Sequence, residues 1–196
     1  MRVVRPIVIV AAAALAGSSC GATETERVAS APVPTETQGA RGLTVKLPAG
    51  WQAAPSTLTP KLSDPREVLS VATYPLRYRE TGCAHVAGSA LEDLGPGDAF
   101  ITVQERGLDA RSSWSGFPER PAQFGPELGE PSEASTCAPG ARFADHWFGF
   151  SDGGRHFHVD VAFGPQASTD VRRQAWAILD GLHVDPAVRP DWPSAG

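Results

Sequence analysis

Two histidines and an aspartate alternate along one short stretch of the chain, GRHFHVDVAFG, at positions 156, 158 and 160. Imidazole nitrogens and carboxylate oxygens on one strand face are donors that zinc and other divalent ions accept. With Asp145 from the preceding segment, His156, His158 and Asp160 are therefore candidates for a metal or small-ligand site. Alternating polar residues are equally typical of a strand face in contact with solvent. Both interpretations stay open at this point.

The sequence SDGG just before this stretch determines which side chains share the face. Asp-Gly is a favoured pair for a two-residue type I′ hairpin turn, because both central positions need a positive φ. A turn at Asp152 and Gly153 places Asp145 opposite Asp160, on the same face as the histidines. The other face of the second strand then points to the core through Phe157, Val159, Val161 and Phe163.

Common catalytic signatures are missing from the sequence. There is no GxSxG, no HExxH, no glycine-rich phosphate loop before a helix and no spaced pair of CxxC motifs. Glu105 and Arg106, at the end of a predicted strand, are interpreted as ordinary surface charges. We therefore predict a protein without enzymatic activity and expect no cofactor.

The chain contains three cysteines, at positions 20, 83 and 137. An even pair in an exported protein is most simply a disulfide, so we predict a bond between Cys83 and Cys137. The chain-entropy model values a loop of this length at about 4 kcal/mol of stability. The rival interpretation is a pair of free catalytic thiols, although no histidine with a family signature accompanies either cysteine.

The chain begins with MRVVRPIVIVAAAALAGSSC, in which Arg2 and Arg5 precede an apolar run and then small residues. This order is typical of a signal peptide, which we assign to residues 1–19. The apolar run is shorter than the roughly 20 residues that a membrane span requires, and polar sequence follows it. The sequence therefore predicts export.

The stretch AGSSC resembles a bacterial lipobox, in which small residues precede a cysteine that receives a diacylglyceryl group. The resemblance implies that Cys20 is lipidated and holds the protein on the outer face of the cytoplasmic membrane. Gly17 stands where the pattern usually has leucine. Ordinary cleavage after Ala16 or after Ala22 is the alternative.

Length and charge limit the domain count and the partners. A chain of 196 residues is long enough for one domain with a sizeable core. Its 17 Lys and Arg against 22 Asp and Glu give a net charge of −5, and there is no basic cluster. Nucleic-acid binding depends on neutralising phosphates, so nucleic acid is not an expected partner. The expected partners are the membrane, through the lipid anchor, and an envelope protein.

Composition divides the chain into four parts. After the signal peptide, residues 20–41 are rich in Thr, Ala, Pro and Glu, which predicts a flexible tether behind the lipidated cysteine. Residues 42–185 form the single folded domain. Residues 186–196 are predicted to be a loose tail.

Within the domain, alternating and β-branched runs predict strands at LTVKLP, EVLSVATYP, DAFITVQER and in the hairpin around SDGG. The segments AHVAGSALEDL and STDVRRQAWAILDG show helical spacing of apolar residues. The Gly-, Pro- and Ser-rich segment between residues 107 and 136 is predicted to be loop, with one short strand near residues 122–124 and exposed aromatics at Trp114 and Phe117. The fold class is α+β: an antiparallel sheet with one internal and one C-terminal helix.

Four short motifs carry a resemblance to a known family: VKLPAGW, DPREVLSVATYPLR, FHVDVAFG and AILDGLHV. Together they resemble the PsbP-like α+β sandwich domains, in particular uncharacterised exported and lipid-anchored members found in actinobacteria. The resemblance extends over residues 43–184. It implies a sandwich fold and a scaffolding or accessory role without catalysis. It transfers no catalytic residue, and the photosystem role of the plant relatives is not carried over.

Overall fold

The computed structural model describes residues 35–82, 86–107, 117–132, 138, 140–188 and 192. They form an α+β fold with one internal and one C-terminal helix, which confirms the predicted fold class. In chain order the elements are β1 Thr35–Gln38, β2 Leu43–Leu47, β3 Gln52–Ala53, β4 Arg66–Ala72, α1 Gly88–Asp93, β5 Ala99–Arg106, β6 Glu130–Ser132, β7 Ala144–Asp152, β8 Arg155–Phe163, α2 Thr169–Asp180 and β9 His183–Val184. A 3-10 turn at Pro126–Leu128 precedes β6.

The described strands form two antiparallel sheets. The smaller sheet has the order β1-β2-β9, and the larger has the order β3-β4-β5-β8-β7-β6. This order places β8, which carries the alternating histidines, between β5 and β7 in the interior of the larger sheet. Because neighbouring residues of a strand point to opposite faces, the odd and even positions of β8 have different environments.

The main hydrophobic core lies against one face of the larger sheet. Leu43, Val45 and Leu47 of β2 are buried, which confirms the predicted alternation. The helix α2 begins at Ser168, whose hydroxyl accepts a hydrogen bond from Val171 N at 3.2 Å, as an N-cap serine does. The buried residues that line this core on the larger sheet and on α2 include Ile101, Val103, Phe157, Val159, Val161, Phe163, Ala175, Ile178 and Leu179.

A second, smaller core lies on the opposite face of the larger sheet, under α1. Ala90 and Leu91 of this helix are buried against Phe100 of β5 and Ala162 of β8. The Tyr74 hydroxyl donates a hydrogen bond to Ala90 O at 2.6 Å, so the helix is also held by a polar contact. The larger sheet is therefore covered on both faces, and the polar residues of β8 lie next to this second core.

The β7–β8 hairpin forms as predicted, but its turn lies one residue later and its pairing shifts by two. The central turn residues are Gly153 and Gly154, with φ of 58° and 74°, and Asp152 pairs with Arg155. Two glycines adopt the positive φ of this turn without steric cost, whereas Asp152 instead ends β7 with an ion pair to Arg120 at 2.9 Å. A shift of two residues keeps every side chain on its predicted face.

The predicted tether is too long at its C-terminal end. Thr35–Gln38 forms β1 and pairs with β2, and a turn with positive φ at Arg41 and Gly42 connects the two strands. Strand pairing uses backbone groups, so a polar segment can add to a free strand edge without a hydrophobic pattern. Composition therefore underestimated the folded part of the chain at this point.

The predicted loose tail is packed at the positions that the structure describes. The side chain of Val188 lies so close to Gly42 that a Cβ at that glycine would be 2.7 Å away. Further along, the guanidinium carbon of Arg66 lies 4.7 Å from the ring centroid of Trp192. A cation over an indole ring is a favourable contact, so Trp192 belongs to the folded body.

The strand predicted near residues 122–124 is absent from that position. Phe124 N instead donates a hydrogen bond to Asp180 Oδ1 at 2.7 Å, which ties the segment to the end of α2. Earlier in the segment, Arg120 N and Ser151 O are 2.8 Å apart in a short bridge to β7. Among the described residues, the strand that this region contains is β6. Its three residues are too few to show a recognisable alternation of polar and apolar side chains in the sequence.

A buried ion pair lies on the core-facing side of β5 and β8. Arg155 Nε and Glu105 Oε1 are 2.6 Å apart, and the two side chains are 2% and 1% exposed. Among the described residues, the other guanidinium nitrogens of Arg155 and Oε2 of Glu105 have no hydrogen-bond partner. The interpretation of Glu105 as a surface charge is therefore wrong, and each member of the pair depends on the other for compensation of its charge.

Candidate functional site on the polar face of the sheet

The polar face is the side of the larger sheet formed by Asp145 and Trp147 of β7, by His156, His158 and Asp160 of β8, and by Thr102 and Gln104 of β5. His158 is paired with Gly149 on one side and Gln104 on the other. Asp160 is paired with Trp147 and Thr102. The structure thus brings the predicted histidines and aspartates to one face, with Asp145 opposite Ala162 and diagonal to Asp160 rather than directly opposite it.

Aromatic rings cover the two imidazoles. The ring centroid of Phe117 lies 5.3 Å from that of His156 and 4.9 Å from that of His158. Trp147 contacts His158 edge to face at 4.9 Å. Gly149 leaves the space for this packing, because a Cβ there would lie 2.6 Å from the Phe117 ring. Phe117 is half-buried, so the prediction that it is an exposed aromatic is wrong.

Burial disfavours the charged form of each titratable group on the polar face. It therefore lowers the pKa of the histidines and raises the pKa of the aspartate. Burial, with a smaller contribution from Arg106, lowers the pKa of His158 to about 4. Burial also lowers the pKa of His156, which Glu119 partly offsets. Burial and the nearby Asp145 carboxylate raise the pKa of Asp160 to about 7. Near neutral pH both imidazoles are therefore uncharged, and the Asp160 carboxyl is partly protonated.

A small recess opens beside these groups. It has a volume of about 30 Å³ and is lined by Val86, Thr102, Gln104, Trp147, His158 and Asp160. A space of this size accommodates a water molecule with polar partners, whereas sites for organic ligands are typically about 300–1,000 Å³. A carboxyl group that titrates near neutral pH is typical of acid–base catalysts, but this recess has no room for a substrate beside it.

The metal interpretation finds no support in this arrangement. In the part of the chain that the structure describes, no three His, Cys, Asp or Glu side chains are grouped so that they could hold a metal ion. His156 and His158 pack against Phe117, and Arg106 adds positive charge beside His158. The face is better described as a polar sheet surface covered in part by a loop.

Several predicted residues lie outside the described residues. These are the lipidation candidate Cys20, the predicted disulfide partners Cys83 and Cys137, and Trp114. The lipid anchor and the disulfide therefore stay predictions. Neither helix of the described chain combines the length and the apolar character that a membrane span requires.

Sequence analysis missed the most exposed aromatic residue of the polar face. Trp147 contacts His158 edge to face, yet the residue is still 43% exposed. Its position at an outward-facing site of β7, beside the glycine at 149, is the signal that could have indicated an accessible ring. The effect of the Asp145 carboxylate on the pKa of Asp160 follows from their position on the same face of the sheet, which the alternation of residues predicts.

No protein-family model and no curated protein matches this chain. The resemblance to PsbP-like domains stays a prediction, and the functional argument rests on the site itself.

Proposed function

We propose that this is an exported, lipid-anchored binding protein of the cell envelope, without enzymatic activity, whose contact surface is centred on Trp147. The signal peptide and the cysteine at position 20 support the location. The proposed partner is an envelope protein that contacts the polar face of the larger sheet. The observation that carries the binding role is the exposure of Trp147 on a strand in the interior of the sheet.

Trp147 has the properties of an interface anchor. The residue is 43% exposed, and its edge-to-face contact with His158 fixes one side of the ring. The backbone of Trp147 is paired with β6 and β8, so little conformational entropy remains to be lost when a partner covers the ring. Tryptophan is enriched among the residues that dominate binding energy at protein interfaces. The half-buried Asp160, which is paired with Trp147 on the neighbouring strand, supplies a polar group beside the ring.

The environment of this tryptophan favours binding over turnover. The adjacent recess of about 30 Å³ holds little more than water. A neutral His158 beneath the indole lets a partner approach without burying a positively charged imidazole. A protein partner needs an accessible, rigid surface and no cavity, which matches the polar face.

The anchoring part of the proposal is tested at Cys20. Wild-type protein made in a bacterial host with lipoprotein processing should partition into the detergent phase, and its intact mass should include a diacylglyceryl group. Cys20→Ser should release the protein to the medium, because serine lacks the sulfur to which the diacylglyceryl group would be attached. Wild-type protein found entirely in the aqueous phase, with an N-terminus created at Gly17 or Thr23, would contradict lipidation.

The binding part is tested by substitution of Trp147. We expect the wild-type protein to retain an envelope protein from detergent-solubilised membranes, and Trp147→Ala to lower that retention about tenfold or more, as loss of an interface anchor does. Tyr78→Ala is the matched control, because Tyr78 is 39% exposed and lines a different recess, with Thr59 and Lys61. Equal retention by all three chains, or no retained protein with the wild type, would refute a Trp147-centred interface.

A further inference from the structure

An open groove lies between α2 and the β7–β8 hairpin, on the side of β7 opposite to Trp147. Its volume is about 590 Å³, within the typical range of about 300–1,000 Å³ for small-molecule sites. Six side chains define what is called here the α2 groove: Phe124, His146, Phe163, Arg172, Trp176 and Asp180. Arg172, Trp176 and Asp180 follow helical spacing, so one stripe of α2 forms a complete wall.

Flat rings form the apolar part of the α2 groove. The ring centroid of Trp176 lies 5.4 Å from that of His146 and 6.0 Å from that of Phe163, both in edge-to-face geometry. Phe163 is almost fully buried and forms the floor of the α2 groove. Trp176 is half-buried and accessible from the groove. Rings in this arrangement favour stacking and edge contacts with another planar apolar group.

Arg172 places a positive charge at this aromatic wall. Its guanidinium carbon lies 4.6 Å from the Phe163 centroid, and its Nε donates a hydrogen bond to Ala167 O at 3.1 Å. Among the described residues no carboxylate is paired with Arg172, whereas the neighbouring Arg173 is paired with Asp170 at 2.8 Å. A guanidinium fixed by backbone carbonyls and a ring, with its charge uncompensated, is suited to recognise a carboxylate.

His146 adds a second polar group to the α2 groove, and its unsatisfied nitrogen indicates a ligand. The residue is 8% exposed, it lines the α2 groove, and within the described chain its Nδ1 has no hydrogen-bond partner. Buried polar atoms are nearly always hydrogen-bonded, because an unsatisfied one keeps its desolvation penalty. A bound molecule with a polar substituent would satisfy this nitrogen.

We propose that the α2 groove binds a small organic anion with a planar apolar body, of the aromatic carboxylate class. The accessible ring of Trp176, which packs on the buried Phe163, holds the body, Arg172 pairs with the carboxylate, and His146 supplies a hydrogen bond. The site lies across β7 from Trp147, so it is independent of the proposed protein interface. Either proposal can therefore fail without the other.

The test uses 2-naphthoate as the probe and 2-naphthamide as its uncharged counterpart, titrated by calorimetry into the full chain. We expect naphthoate to bind in the micromolar to millimolar range and naphthamide to bind at least about tenfold more weakly, the ratio expected when a hydrogen bond to a charged group is lost. Equal binding of the two probes would overturn the role of the charge. No binding of naphthoate at millimolar concentration would overturn the site.

Three variants locate the binding in the α2 groove. Arg172→Gln should weaken naphthoate binding about tenfold and leave naphthamide unchanged, because only the charged contact is removed. His146→Phe keeps the ring and removes the nitrogen, so it tests the second contact even if Arg172→Gln fails to fold. Arg79→Gln is the control, since Arg79 is an exposed arginine paired with Asp93 elsewhere. Naphthoate binding unchanged by both Arg172→Gln and His146→Phe would refute the assignment.

Discussion

Replacement of Arg155 by methionine should destabilise the fold by about 3–5 kcal/mol, the usual effect of removing one partner from a buried ion pair. Glu105 is 1% exposed, and among the described residues Arg155 is the cation that compensates its charge. Without the guanidinium, the carboxylate must stay charged in an apolar environment or take up a proton. Native domains are stable by only about 5–15 kcal/mol, so this single change removes a large part of the total.

The double variant Glu105→Met with Arg155→Met separates the charge effect from the packing effect. Both side chains are then apolar and of similar volume, so we expect most of the lost stability to return. Arg79→Met, in the exposed pair with Asp93 at 2.7 Å, should change stability by less than about 1 kcal/mol. Equilibrium urea unfolding measures all four chains. A single Arg155→Met variant as stable as wild type would show that the buried pair contributes nothing.

Asp160 and His158 on the polar face should contribute to the pH dependence of stability with opposite signs. Burial raises the pKa of Asp160 from 3.8 to about 7, so between those values the folded state holds a proton that the unfolded state has lost. Stability from Asp160 therefore falls as pH rises through this window. The pKa of His158 is lowered from 6.5 to about 4, so between those values the unfolded state holds the extra proton and stability rises with pH. The two contributions therefore oppose each other in the wild type, where the lowered pKa of His156 adds to the rise of stability with pH.

Single substitutions should reveal the pH dependence of stability that each residue contributes. In Asp160→Asn, the His158 contribution remains, and stability should increase by about 2 kcal/mol between pH 4 and 6.5. In His158→Gln, the Asp160 contribution remains, and stability should decrease by about 3 kcal/mol between pH 4 and 7. Asp145 and Arg106 face these groups and stay in place in both variants. Urea unfolding as a function of pH gives the slopes. Parallel pH profiles for all three chains would contradict the opposed titration.

The β7–β8 hairpin shows which part of the fold was predictable from the sequence and which was not. The alternation along β8 correctly separated the core residues from the polar face, because side-chain direction depends only on even or odd position. The pairing register depends on which two residues take positive φ. Three consecutive residues, Asp152, Gly153 and Gly154, offered two possible turns, and local preference alone did not distinguish them.

Contacts between distant segments were the parts that sequence reasoning missed. The pairing of Glu105 with Arg155, 50 positions apart, needs the β5–β8 register before it can be recognised. The position of Phe117 over the imidazoles depends on Gly149, whose missing side chain leaves the space. The α2 groove combines residues from four separate segments. Local patterns predict elements, whereas these features arise only when the elements are packed together.

The unequal lengths of the strands in the larger sheet bear on self-association. Its interior strands β4, β5, β8 and β7 have between seven and nine residues, but the edge strands β3 and β6 have two and three. Pro131 in β6 also lacks a backbone donor. A long unpaired edge is a template on which another chain can extend a sheet and start an aggregate. Among the described residues, the edges of this sheet therefore offer little exposed backbone on which further copies of the chain could extend it.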